Sequence, residues 1–100
     1  MGAKLSNERA RAWLEAGAFF EWQPRAGSHA PLQIFHTEVG PEDAPIMALL
    51  HGFPTSSIDW CDVVERLAAH YRLCMLDFPG YGFSDKPTDW PYSLFLDVEL

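Results

Sequence analysis

Five apolar residues, Ile46-Met47-Ala48-Leu49-Leu50, run directly into the turn sequence His51-Gly52-Phe53-Pro54-Thr55-Ser56-Ser57. A run with no polar alternation has the pattern of a strand buried on both faces, as in a parallel sheet covered by helices. Such a strand must end at a surface. Gly52 permits a sharp turn and close approach of the backbone to a ligand, and Pro54 fixes φ and tolerates the cis isomer cheaply. Strand ends of this sort are where open α/β sheets bind ligands.

A second unit of the same kind follows. Over residues 58–69, Trp60, Val63, Val64, Leu67 and Ala68 fall three or four apart, which predicts a helix with one apolar face. Ser57 is its expected cap, and Asp59 and Asp62 in the first turn complement the helix dipole. Residues 72–76 then read as another buried strand, ending at Asp77-Phe78-Pro79-Gly80-Tyr81-Gly82. Strand, helix, strand is almost always a right-handed parallel crossover.

On the N-terminal side, residues 6–15 have a cap-like start and good helix formers, with Gly17 as the stop, so a short peripheral helix is expected within residues 1–17. The aromatics Phe19, Phe20 and Trp22 predict a strand over 18–23, and Leu32, Ile34 and Phe35 another over 32–39. Pro24, Gly27, Ser28 and Pro31 punctuate the connection, so the two should form an antiparallel hairpin. Residues 83–91 are dense in Pro, Gly and Asp and read as a loop; residues 92–100 open a new helical pattern with no cap or closing strand after it. Residues 18–100 are therefore expected to be the N-terminal portion of a larger domain.

The net charge of −7, with no cluster of Lys and Arg, argues against nucleic acid as a partner and against a basic membrane-surface helix. No stretch approaches the length of a membrane span, and the start lacks the apolar core of a signal peptide; a cytoplasmic protein is expected. Gly2 with Ser6 fits the myristoylation pattern only formally. Cys61 and Cys74 lack C-x-x-C spacing and read as reduced core residues. His29, His36 and His70 share no spacing, so no metal site is expected.

His51 of the motif HGFPTSS and Asp77 of LDFPGYGFSDKP stand 26 residues apart, each at a strand end. The pair resembles the α/β-hydrolases: the HG-x-P turn and the D-x-x-G-x-G-x-S-D-x-P segment of the epoxide hydrolase and haloalkane dehalogenase branch. The longer string HGFPTSSIDW, together with YSLF, is especially similar to hydrolase-like proteins of the mesoderm-specific transcript type. The resemblance implies an α/β fold, the N-terminal part of a doubly wound, mostly parallel sheet with an antiparallel first hairpin. It also implies a hydrolase without a cofactor, acting on an ester, epoxide or similar small apolar substrate. In that frame the backbone N–H of Phe53 matches the first oxyanion-hole donor, and Phe53 and Pro54 border the substrate pocket. His51, Gly52, Asp77, Gly80 and Gly82 are the structural residues of the two motifs.

The resemblance places the nucleophile on a G-x-S-x-G elbow, or one carrying Asp, after the helix that opens at Tyr92. No G-x-S-x-G occurs in residues 1–100, so the triad is expected beyond residue 100, in the remainder of the hydrolase chain, and residues 1–100 alone are expected to be inactive. Haloalkane dehalogenases usually have Asn, a halide ligand, where Phe53 stands, which argues against dehalogenation.

Each chemical residue also has a plainer reading. His51 is a candidate general base, but its ring is better read as a brace for the turn. Asp77 is expected to organise the following loop through backbone hydrogen bonds, Ser84 and Asp85 to be turn residues, and Ser56 and Ser57 to start a helix. Trp60 is expected in the core. The rival to an enzyme fragment is a non-catalytic interaction module; an uncovered strand 72–76 would speak against a finished module.

Overall fold

Strand pairing organises the molecule, a computed structural model that describes residues 8–25, 29–52, 55–88, 90, 92, 97 and 100. Helix α1 (Glu8–Ala16) leads into β1 (Ala18–Trp22), β2 (Leu32–Val39) and β3 (Ile46–Leu50). A 3-10 helix (Ser57–Trp60), a one-turn α2 (Val64–Leu67) and β4 (Arg72–Leu76) follow. The sheet has four strands in the order β1-β2-β4-β3. β1 and β2 are antiparallel, with Ala18 opposite His36 and Trp22 opposite Leu32. β4 is antiparallel to β2 and parallel to β3, with Ile46 opposite Arg72 and Leu50 opposite Leu76. The hairpin and the parallel strand-helix-strand unit thus stand where the sequence places them.

Side chains alternate between the two faces of this sheet, and each face has its own apolar cluster. On one, Leu49, Leu73 and Met75 are buried under Trp13 of α1 and under Trp60, Val64, Leu67 and Ala68. On the other, Leu32 and Ile34 are buried with Trp90, joined by Phe20, Trp22, Leu76 and Leu100. The tilted ring contacts of Trp90 with Trp22 and His29, at 5.9 and 4.8 Å between centroids, belong to this second cluster.

Two expectations are corrected. First, the helix over 58–69 is not continuous. Asp59, Cys61 and Val63 donate to carbonyls three residues back along a tight 3-10 path, and bonds four apart begin only at Leu67 N–H to Val63 O. Ile58, Asp59, Cys61, Asp62 and Val63 are weak helix formers, being β-branched or competing for backbone bonds. Ser56, not Ser57, takes the cap position, in extended conformation and without a side-chain capping bond. Val63 turns outward, 39% exposed, while the other four residues of the expected apolar face pack inward.

Second, β3 is not buried on both faces: Ile46 is 75% and Leu50 58% exposed, and only Leu49 is buried. The strand over 72–76, whose exposure would speak against a finished module, is not uncovered among the described residues. Among the described residues β4 is paired on both sides, while β1 forms one edge of the sheet and β3 the other, with a single hydrogen-bonded neighbour. Beside it the sheet face holds an open concavity of about 370 Å³, lined by Phe20, His36, Ala48, Leu50, Cys74 and Leu76 among others.

An apolar edge with free backbone donors and acceptors is a template for pairing. Residues 1–100 alone are therefore expected to self-associate with rising concentration in light scattering, and Ile46→Lys with Leu50→Lys to suppress it. A monomer at every concentration without these substitutions would contradict this account of the edge.

Candidate functional site

The turn after β3 and the loop after β4 are locked together by two side chains. The first is His51, which is buried. The Phe78 N–H donates to its Nε2 at 3.0 Å, so in the neutral ring the proton sits on Nδ1, which donates to the Gly52 carbonyl at 2.8 Å. The ring lies edge-on to Phe78 and Tyr81, at 5.0 and 5.4 Å. With its one nitrogen lone pair engaged by a backbone N–H, this ring braces the turn and has none left to take a proton from a nucleophile.

The second is Asp77, 1% exposed. One carboxylate oxygen accepts from the Ser57 N–H at 2.7 Å, the other from the Phe83 N–H at 2.9 Å. The side chain therefore ties the start of the 3-10 helix to the loop that follows β4. The Ser84 hydroxyl completes the arrangement, donating to the Asp77 carbonyl at 2.6 Å and accepting from the Phe35 N–H at 2.9 Å. Asp85 anchors the same loop to β2: its carboxylate accepts from the Gln33 N–H and its own N–H donates to the Gln33 carbonyl. These are more than turn residues.

The glycines divide by role. Gly80 and Gly82 take φ of +91° and +54°, a region that side chains strain to adopt. A Cβ on Gly82 would stand 2.1 Å from an Asp77 carboxylate oxygen, and one on Gly80 would stand 2.3 Å from the Tyr92 ring. Gly52 has no such constraint: its φ is not positive and a Cβ there would meet nothing within 4 Å among the described residues. What Gly52 contributes is an open surface and a carbonyl on which the His51 ring, the Thr55 N–H and the Thr55 hydroxyl converge.

Phe53 and Pro54 lie outside the described residues. On their flanks, the Thr55 N–H donates to the Gly52 carbonyl at 3.2 Å, and the Thr55 hydroxyl also bonds the Asp59 carboxylate. Most of the expected helix from Tyr92 is likewise outside, but Asp97 is half-buried, and that burial pushes its carboxyl above its ordinary value. Such an arrangement can hold a backbone N–H still at the end of a parallel strand, which acyl chemistry requires. Among the described residues no His, Cys, Asp and Glu cluster has metal-ligand geometry, and no helix is long and apolar enough to cross a membrane. Both cysteines are free thiols.

Sequence reasoning missed two long-range ties to Ser57, from Asp77 and from Trp13, whose indole N–H donates to the Ser57 hydroxyl at 2.9 Å. No local pattern announces either, because the partners lie 20 and 44 residues away.

The chain is 44% identical over 92 residues to the mesoderm-specific transcript protein of Mus musculus, covering 89% of this chain and 25% of that one. It is 37% identical over 72 residues to mouse epoxide hydrolase 4, covering 65% and 20%. Among solved structures it is similar to haloalkane dehalogenase DbeA from Bradyrhizobium elkani, with a TM-score of 0.66 and 29% identity over 83% of this chain and 26% of that one. The chain spans about a quarter of the length of the curated relatives it matches. Residues 45–98, from the β3 edge through both braced turns, match the family model described as the alpha/beta hydrolase fold, and the chain belongs to that family.

Proposed function

We propose that this chain is the oxyanion-binding N-terminal portion of a hydrolase acting on an ester, epoxide or similar small apolar substrate, with the Phe53 N–H as the first oxyanion donor. Attack on an acyl carbonyl builds negative charge on oxygen, and a donor held in place before the reaction lowers that barrier. The observation that carries the reading is the double clamp around residues 53 and 54: His51 and Gly52 on one side, Ser57 held by buried Asp77 on the other. A turn with no chemical task has no need to be fixed from both flanks by buried polar groups. Phe53 and Pro54 would border the substrate, and Phe53 fits an ester or epoxide better than a halide. His51, Gly52, Asp77, Gly80 and Gly82 serve the frame.

In this reading the nucleophile, acid and catalytic His lie beyond residue 100, and the remainder of the chain covers the β3 edge. The similarity to hydrolases and to an epoxide hydrolase supports the reaction class. The test is turnover of a p-nitrophenyl ester and of styrene oxide by the protein expressed from its whole reading frame, beside residues 1–100 alone. Turnover of at least one substrate by the former and none by the latter is expected. Absence of turnover by the former, or turnover by residues 1–100, would overturn the proposal.

A further inference from the structure

Helix α1 buries no residue fully, and by composition it is a surface element. Two of its side chains nevertheless reach the segment that follows the turn. Arg9 pairs with Asp62 across an exposed contact, with side chains 61% and 71% accessible. Trp13 does something different: its ring packs on Leu49, Leu73 and Met75, and its indole N–H donates to the hydroxyl of Ser57. Ser57 is fully buried, and its own N–H is held by Asp77. The residue closing the far flank of the turn is thus gripped at the backbone by Asp77 and at the side chain by Trp13.

We infer that Trp13 is a positioning residue for the oxyanion turn, acting through Ser57 from an N-terminal helix that otherwise lies outside the catalytic architecture. The inference rests on the oxyanion reading of Phe53. A ring that only packs needs no N–H aimed at a buried hydroxyl. With the indole bond in place the Ser57 side chain has one orientation, and the chain entering the 3-10 helix loses the freedom to shift along the strand axis. Without it the turn keeps its near flank, His51 and Gly52, and Asp77 holds Ser57 by the backbone alone. Binding of substrate depends on the pocket walls, whereas donation to the developing charge depends on sub-ångström placement of one N–H.

Trp13→Phe keeps an aromatic ring and deletes the N–H. In the protein expressed from its whole reading frame it is expected to lower kcat about five-fold with KM unchanged, the size of one modest hydrogen bond. Ser57→Ala should give a similar loss and the double variant no further loss, because both remove one bond. Amide hydrogen exchange at Thr55 and Ser57 should quicken in Trp13→Phe. Arg9→Ala, which removes only the exposed pair, should leave kcat unchanged. If Trp13→Phe does not fold, Ser57→Ala carries the same test with the indole packing intact. A Trp13→Phe protein with lower thermal stability but wild-type kcat and exchange would make Trp13 a packing residue and overturn the inference alone. A wild-type protein without turnover would overturn the oxyanion reading and this inference with it.

Discussion

Asp77→Ala is expected to destabilise the protein by about 3 kcal/mol, because it strips two buried backbone N–H groups of a charged acceptor at once. The Ser57 and Phe83 amides have their bonds to this one carboxylate, at 2.7 and 2.9 Å, and Asp77 is 1% exposed, so water does not replace the lost acceptor without rearrangement. Bonds to charged groups each contribute about 1.5–3 kcal/mol, and an orphaned buried donor keeps its desolvation penalty. Set against a total stability of about 5–15 kcal/mol for an ordinary domain, this is a large share. Asp77→Asn should fall between: its amide keeps one oxygen but points an NH₂ at the other N–H. Urea unfolding of the three proteins checks the order. An Ala variant within about 0.5 kcal/mol of wild type, the range of surface substitutions, would show that neither bond matters.

The same carboxylate shows where sequence reading reaches and where it stops. Asp77, Gly80, Gly82 and Ser84 sit close together in the chain, so a loop organised by Asp through its own backbone is a local inference, and the Phe83 bond is of that kind. The bond from Asp77 to Ser57 spans 20 residues and exists because β3 and β4 are parallel neighbours, which brings both strand ends to one edge of the sheet. Adjacency of this sort follows from topology and is invisible to composition.

The hairpin and the parallel unit were legible because their patterns differ: aromatics and alternation in β1 and β2, an unbroken apolar run in β3. What misled was the inference from that run to burial. Ile46 and Leu50 are apolar and exposed, because among the described residues β3 has one neighbour and an uncovered face. The run describes the environment of a completed sheet, whereas the structure holds about a quarter of the length of its relatives. The helix over 58–69 erred the other way. Its three-and-four spacing correctly chose the inward-packing, partly buried side chains Trp60, Val64, Leu67 and Ala68, but periodicity carries no information about whether the backbone can sustain the bonds, and most residues from Ile58 to Val63 are weak helix formers. Ser57, read as a cap, has its hydroxyl bonded to Trp13 instead.

Removing the Phe53 N–H is expected to have the largest effect on catalysis. On the proposed reading that N–H is the first oxyanion donor, in a turn whose flanks are tied by His51 and by Asp77, and loss of one such donor costs about 10²–10³ in kcat. A side-chain substitution does not isolate it, and Phe53→Pro alters φ as well as removing the hydrogen. Replacing the amide at position 53 by an ester, with phenyllactic acid in place of Phe53 in a semisynthetic protein carrying the whole reading frame, deletes the N–H and keeps the ring. The measurement is the steady-state hydrolysis of a p-nitrophenyl ester by this protein beside its all-amide counterpart. A fall in kcat of about 100-fold or more with KM little changed is the predicted result. Equal kcat values in the two proteins would contradict the assignment of Phe53 and leave the braced turn a structural feature alone.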